Sequence, residues 1–238
     1  MAKWYNLIKE NDNEVSLLIY IEDFLSTNEL KSCNEWLNNK YLSNSFIGET
    51  TEQSSRKNIR KQLWYQEDNG YFCEKWKDRY PRWKSNNYDN ELTRIQNTIR
   101  EKLKDRIYDE FEIDIERISN KYNKTENTID TSFDINSCLV NLYKTGNEGI
   151  SPHRDNSDSF GIYPTIIGLS IGATRTMKIT RNRNINKTDN SLETTFEMKD
   201  NSLFIMMGAS QKYYTHEIIK EPHIKEKRYS FTFRKWLK

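Results

Sequence analysis

The chain has 238 residues, which is room for one domain of ordinary size. Its 35% hydrophobic and 30% charged content and formal net charge of +2 describe a globular chain with a modest core. They exclude an argument for nucleic acid from net charge alone, and no apolar run approaches the roughly 20 residues of a membrane helix. The opening MAKWYNLIKEND lacks the apolar run of a signal peptide. Cys33, Cys73 and Cys138 are scattered, with no C-x-x-C. That pattern argues against a disulfide framework or zinc knuckle and for a reducing compartment, cytoplasm or nucleus.

In chain order, Val15–Ile21 is apolar and β-branched enough for a strand. Ser26 and Glu29 have the spacing of a capping box, and Leu30, Cys33, Trp36 and Leu37 then recur on one helical face. A helix is predicted from about Thr27 to Asn39. The stretch Ser54–Lys84 carries nine Lys/Arg against four Asp/Glu, a net of +5, so the rest of the chain nets −3. Interleaved are Trp64, Tyr65, Tyr71, Phe72, Trp76, Tyr80 and Trp83. Cations for phosphate and aromatics for bases are the ingredients of a single-strand or flipped-base platform. The alternative is that the aromatics are core and the charges a solvated face. Asp89–Ile107 predicts a second helix, with Leu92, Ile95, Ile99 and Leu103 on one stripe and Asp89 or Asn90 as cap. Tyr108–Thr131 is polar and predicts a peripheral insertion. From Phe133 onward, strand-like runs alternate with polar turns: Phe133–Tyr143, Thr165–Ser170, Thr174–Thr180, Leu192–Met198, Leu203–Met207, Tyr213–Ile219 and Arg228–Phe233. Arg181–Ser191 reads as a solvated loop. This spacing predicts a β-sandwich or jelly roll.

The chemistry concentrates between Asn141 and Arg234. His153 and Asp155 form an H-x-D pair, and His216 follows later. Two imidazoles and one carboxylate can cap one face of Fe(II) and leave positions open for a co-substrate and O₂. The same set can hold catalytic zinc. In Arg228–Arg234 apolar and polar residues alternate, so Arg228, Ser230, Thr232 and Arg234 share one strand face. Two guanidiniums and two hydroxyls on one face make poor core and a good seat for a dicarboxylate, which Arg grips through paired charge-assisted bonds. Asn141 and Tyr143 share a strand face and would add neutral donors. A dicarboxylate beside an open iron site points to 2-oxoglutarate and tips the balance from zinc to iron.

The segments NLYKTGNEGISPHRD (141–155), PTIIGLSIGATRTMKI (164–179), SLFIMMGASQKYYTH (202–216) and KRYSFTFR (227–234) resemble the AlkB family of Fe(II)/2-oxoglutarate nucleic-acid dealkylases, in particular its eukaryotic-type repair members. The likeness covers the C-terminal half and weakens back to about Trp64. It implies a mainly β fold with flanking helices: a double-stranded β-helix, or jelly roll, over 133–238. Residues 1–132 would form an N-terminal helix and strand elaboration carrying a nucleotide-recognition lid at about 54–84, all within a single domain.

By that resemblance His153, Asp155 and His216 are the iron ligands. Arg228 would hold the distal carboxylate of 2-oxoglutarate with help from Tyr143. Asn141 and Arg234 would sit toward the metal-proximal end, with Thr232 a further contact. Arg60, Lys61, Trp64, Tyr65 and Tyr71 are the lid candidates. Asn156 and Ser157 stand where the family commonly has an acidic residue beyond the metal Asp, a position that often touches the substrate base, and Ser230 stands where it usually has Asn.

The implied activity is oxidative demethylation of N-alkylated bases such as N1-methyladenine and N3-methylcytosine in DNA or RNA. It would consume Fe(II)-bound O₂ and 2-oxoglutarate and release succinate, CO₂ and formaldehyde. An acidic or π-rich pocket would favour such cationic bases. The implied partner is single-stranded or flipped-base nucleic acid, with no membrane and a monomeric state. The rival readings are an oxygenase acting on RNA methyl marks or on a protein, a non-catalytic nucleic-acid-binding module on the same fold, and a zinc hydrolase. The last leaves the Arg228/Arg234 face unexplained.

Overall fold

The computed structural model describes residues 3–11, 14–46, 60–105, 132–182 and 193–237. The insertion expected at 108–131, the first residues of the basic-aromatic stretch (54–59) and most of the expected loop (183–191) lie outside the described residues. The architecture is mainly β. Seven antiparallel strands form a large sheet and four form a smaller one.

The large sheet runs in the order β1 (Lys3–Lys9), β2 (Val15–Ile21), β9 (Ser202–Gly208), β6 (Ile166–Gly172), β11 (Arg228–Arg234), β4 (Ser137–Tyr143) and β3 (Lys61–Gln66). The small sheet runs β5 (Ile150–His153), β10 (Tyr214–Ile218), β7 (Arg175–Arg181) and β8 (Glu193–Met198). This is the expected jelly-roll arrangement of strands, and seven of the predicted runs coincide with β4, β6, β7, β8, β9, β10 and β11.

The period of two sorts each strand of the large sheet between two environments. Val140, Leu142, Ile167, Leu169, Leu203, Ile205, Tyr229, Phe231 and Phe233 belong to one core. That core is covered by α1 (Thr27–Leu42) and α2 (Asn90–Asp105), which contribute Cys33, Trp36 and Leu37, and Leu92, Ile95, Ile99 and Leu103. The other face looks toward the small sheet. There Tyr20, Ile166, Phe204 and Met206 pack on Ile179 and Met198 at one end and leave a cavity at the other.

Both helices start as their sequences dictate. Ser26 and Glu29 close a reciprocal capping box on α1. Asp89 Oδ1 accepts from the Leu92 backbone N–H at 3.0 Å, capping α2. The same carboxylate accepts from Trp36 Nε1 at 2.8 Å and pairs with Lys40 Nζ at 2.9 Å, so one cap also joins the two helices. Among the described residues, no helix is long and apolar enough to cross a membrane.

Three strands were not foreseen: β1, β3 and β5. The first is an edge strand with mixed burial, and β5 is four residues with a proline, so neither shows clean alternation. The strand β3 falls within the stretch expected to carry the lid. Lys61–Gln66 pairs antiparallel with β4, so the start of the expected lid is the edge strand of the large sheet. The chain from Tyr71 to Trp83 continues as two single 3₁₀ turns, Glu74–Trp76 and Pro81–Trp83, returning through an isolated bridge between Tyr71 and Lys84.

Candidate active site

The site is assembled by cross-strand register. His216 on β10 lies directly opposite His153 at the end of β5, and their ring centroids are 4.3 Å apart. Asp155 follows β5 by two residues. One donor atom from each of His153, Asp155 and His216 lies within 4.8 Å of the other two. On the facing strands, Arg228 is opposite Tyr143, Ser230 opposite Asn141 and Thr232 opposite Leu139. All of these line one cavity of about 250 Å³ between the sheets.

The triad is electrostatically prepared for a cation. Burial holds His216 down at about 3, with the His153 imidazole beside it adding to the effect. Burial also lowers His153, partly offset by the Asp155 charge. Both imidazoles are therefore neutral and present lone pairs, as metal binding requires. His153 Nδ1 lies 2.9 Å from the Ser151 carbonyl, which fixes that nitrogen as the donor and frees Nε2. Burial alone would raise the Asp155 carboxyl, but the Arg234 guanidinium outweighs it and holds the carboxyl below its ordinary range. Arg234 Nε is ion-paired with Asp155 Oδ2, and both side chains are almost fully buried. The Asp155 backbone N–H donates to Gln211 Oε1 at 2.9 Å, and Gln211 in turn lies on α4 (Ser210–Tyr213).

The second half of the site is a buried cation with room for an anion. Arg228 is 1% exposed, its Nε donates to Ser170 Oγ at 2.9 Å, and it has no carboxylate partner among the described residues. Its Nη1 is buried without any hydrogen-bond partner. Burial pushes Arg228 below the ordinary guanidinium range, a direct sign that the charge is uncompensated. A buried guanidinium is costly unless paired, so this position is built for an anion. Tyr143 lies near it, ring centroid 5.3 Å from Cζ, and Asn141 lies two residue pairs further along the sheet. Asn141 Oδ1 accepts from Arg60 Nε at 2.8 Å and from Gln62 Nε2 at 3.1 Å. The donor set therefore fits a metal held by His153, Asp155 and His216 beside a carboxylate held by Arg228.

Arg175, within the segment 164–179, supports the site from behind Tyr143 without lining the cavity. It is 1% exposed and lies 5.7 Å from the centroid of the Tyr143 ring. Its guanidinium donates to the carbonyls of Glu148 and Ile219, each at 2.7 Å, and pairs with Glu221. It thereby ties the turn after β4 to the chain after β10. Gly146 permits this, because a Cβ there would lie 1.7 Å from the Glu221 carbonyl oxygen. No local pattern marks such a residue, since its partners come from two segments distant in sequence.

The lid candidates divide. Arg60 lines the cavity. Tyr65 does not: strand alternation sends it to the helix-covered core, where it packs on Trp36 and Tyr88 at 2% exposure. Lys61 shares its parity and is absent from the cavity wall. Trp64 faces the right way but is 2% exposed, buried under Phe72 and Phe160. Tyr71 is half-buried and also absent from the wall. The aromatic wall is instead Phe72, Trp76 and Trp83, with Phe72 and Trp76 stacked 5.6 Å apart. Asn156 lines the cavity, whereas Ser157 begins α3 (Ser157–Phe160), whose first turn Asn156 caps by accepting from the Asp158 N–H at 2.8 Å. His223 is exposed, as expected for a turn.

Residues 18–234 match the 2OG-Fe(II) oxygenase superfamily. The chain is 35% identical over 109 residues to the human "Alpha-ketoglutarate-dependent dioxygenase alkB homolog 3", and 34% identical over 109 residues to the protein of that name from Rattus norvegicus. The matched stretch spans 44% of this chain and 37% of the human relative, little more than a third of its length. Among solved structures, a prolyl hydroxylase from Trichoplax adhaerens, in complex with a hypoxia inducible factor oxygen degradation domain peptide fragment, aligns over 92% of this chain and 83% of its own. The TM-score is 0.56 and the identity 15%, a likeness of fold alone. The match over nearly the whole chain agrees with the His-Asp-His cluster and the anion seat beside it, and names the cofactors as Fe(II), 2-oxoglutarate and O₂. The chain belongs to the 2OG-Fe(II) oxygenase superfamily, and part of it is similar to the alkB homolog 3 proteins.

Proposed function

We propose that the protein removes N-linked methyl groups from bases in single-stranded or flipped-out positions of DNA or RNA. The observation that carries this reading is the mouth of the cavity. Aromatic rings of Phe72, Trp76 and Trp83 and the guanidinium of Arg60 line the same space as the metal triad. Flat rings next to a cation suit a base with its phosphate, and a base taken out of its stack needs such a surface. The cationic chain around this wall supports it further, since Lys75, Lys77, Arg79, Arg82 and Lys84 all fall between Glu74 and Ser85.

Bound iron with 2-oxoglutarate and O₂ supplies an oxidant that inserts oxygen into a C–H bond, with succinate and CO₂ as co-products. The chain's own residues do the rest. His153, Asp155 and His216 would hold the metal from one side. Arg228, with Tyr143 near it and Ser170 fixing its Nε, would hold the remote carboxylate of the co-substrate. Thr232 and Ser230 line the space between. Arg234 serves Asp155 rather than standing free, so its role is to orient a metal ligand. Ile166, Met177, Met198, Phe204, Met206 and Ile218 close the apolar end and exclude water. A hydroxylated N-methyl group then breaks down to formaldehyde and the unmodified N–H.

The test is formaldehyde release from methylated DNA and RNA oligonucleotides, single- and double-stranded, with iron and 2-oxoglutarate. Release stoichiometric with succinate is the expected result. Succinate formation that ignores every oligonucleotide would defeat the reading and move a protein or small-molecule substrate ahead of it.

A further inference from the structure

The charges around the cavity bear on which alkylated bases it takes, given the nucleic-acid reading above. Among the described residues lining it, four are arginines (Arg60, Arg154, Arg228 and Arg234), and Asp155 alone is acidic. Asp155 is already committed to Arg234 and to the metal position. The following residue, Asn156, lines the cavity and is neutral. The next acid, Asp158, is off the cavity wall and pairs with Lys75 at 2.9 Å. Of the two features that would favour a cationic base, the acidic one is missing among these residues, and the π-rich one is present in Phe72, Trp76 and Trp83.

The polar groups at the mouth are rich in donors. Arg60 uses Nε on Asn141, which leaves its terminal N–H groups without a partner among the described residues. Gln62 spends its amide nitrogen on the same oxygen, and Asn156 spends its side-chain oxygen on the Asp158 N–H. The Asn156 NH₂ therefore has no partner among the described residues. Aromatic faces attract cations as well as neutral rings. Arg82 lies 5.5 Å from the Trp83 ring, so that ring already has a protein cation near it.

We propose that the pocket selects an electrically neutral, acceptor-rich alkylated base, of the kind represented by N3-methyluracil or N3-methylthymine. It discriminates against cationic rings such as N3-methylcytosine. In the neutral ring, carbonyl oxygens flank the methylated nitrogen and meet the donors of Arg60 and Asn156. In the cationic ring one of those oxygens becomes an amino group, which faces donors. Its charge also enters a partly enclosed space that has no free carboxylate among the described residues. Stacking on Trp76 is open to both, so the difference lies in charge and hydrogen bonding.

Two otherwise identical single-stranded oligonucleotides, one bearing N3-methyluracil and one N3-methylcytosine, test this at one fixed salt concentration. Binding is read by anisotropy on the metal-free protein, and turnover by formaldehyde release on the iron-loaded protein. The neutral base is expected to be favoured at least tenfold in both. Asn156→Asp keeps the acceptor that caps α3 and should shift the ratio toward the cationic base by a similar factor. Arg60→Gln removes a cation and a donor and should narrow the ratio independently. Equal use of both bases, or preference for N3-methylcytosine, overturns the inference and leaves the nucleic-acid reading intact. Failure to bind or turn over either base, with succinate still formed, overturns both.

Discussion

Arg234 and Asp155 form an ion pair in which each side chain is 4% exposed. The carboxylate of the proposed metal triad is thus held by a guanidinium on a strand of the opposite sheet, and that guanidinium also lies over the Phe160 ring at 4.9 Å. The likeness to known dealkylases places Arg234 at the metal-proximal end of the co-substrate. In the structure its direct partner is Asp155, the proposed metal ligand.

Removing the arginine should therefore act first on the metal. Arg234→Met is expected to lower Mn(II) or Co(II) affinity about 10- to 100-fold, the usual cost of losing a group that orients a ligand. The metal-free protein should also lose about 3–5 kcal/mol, because Asp155 stays buried without its partner. Metal titration together with melting curves separates the two effects. Unchanged metal affinity would return Arg234 to the co-substrate.

Arg228 gives the opposite signature. Its charge is buried without a carboxylate, so Arg228→Met should leave the ligand-free protein as stable as before or more so. A charge-assisted bond contributes about 1.5–3 kcal/mol, so the 2-oxoglutarate requirement should rise about 10- to 150-fold. In the unaltered protein 2-oxoglutarate should raise the melting temperature, and in the variant that shift should shrink. A variant with an unaltered 2-oxoglutarate dependence would show that another group anchors the anion.

Replacing His153 by Ala should abolish turnover while the protein stays folded. Its side chain is 30% exposed and its hydrogen-bond partner among the described residues is the Ser151 carbonyl, so little of the core depends on it. Circular dichroism and succinate production read the two outcomes, and full activity in the folded variant would remove the metal assignment.

Two aromatic substitutions should separate core from mouth. Tyr65→Ala should cost about 3 kcal/mol of stability, as expected for truncating a buried aromatic, and leave oligonucleotide binding of the folded fraction unchanged. Trp76→Ala should instead weaken oligonucleotide binding by about 1–3 kcal/mol. Denaturant melts and anisotropy titrations on both variants check this. Normal binding by Trp76→Ala would remove the ring from the proposed base platform.

The acid limit of stability is set partly away from the site, at Glu14. Burial alone would raise its carboxyl, but hydrogen bonds from Lys212, Tyr213, Tyr163 and Asn11 prevail and lower it from 4.5 to about 2. A carboxyl depressed in the folded state contributes its stability above the unfolded value and loses it as pH falls. The loss should run from about pH 4.5 down to about pH 2 and amount to about 2–3 kcal/mol. Glu14→Gln should flatten the stability profile over that window, which denaturant melts at stepped pH would reveal.

Some of this protein follows from local chemistry and was legible in the chain alone. Capping of α1 by Ser26 and Glu29 depends on residues three apart, and the polar face of Arg228–Arg234 depends on an alternation within seven residues. Histidines and a carboxylate in the order His153, Asp155, His216 are few enough to point to one site, and the structure brings them together. Parity told that Trp64 and Tyr65 face opposite ways, but not which face would be covered by helices and which would open on the cavity. That choice came from β3 pairing with β4 and from α1 and α2 packing on one side of the sheet. Arg175 and the Arg234–Asp155 pair are likewise tertiary outcomes. Their partners lie up to 79 residues away, and a side chain's hydrogen-bond acceptors at that distance are fixed only when the strands are brought into register.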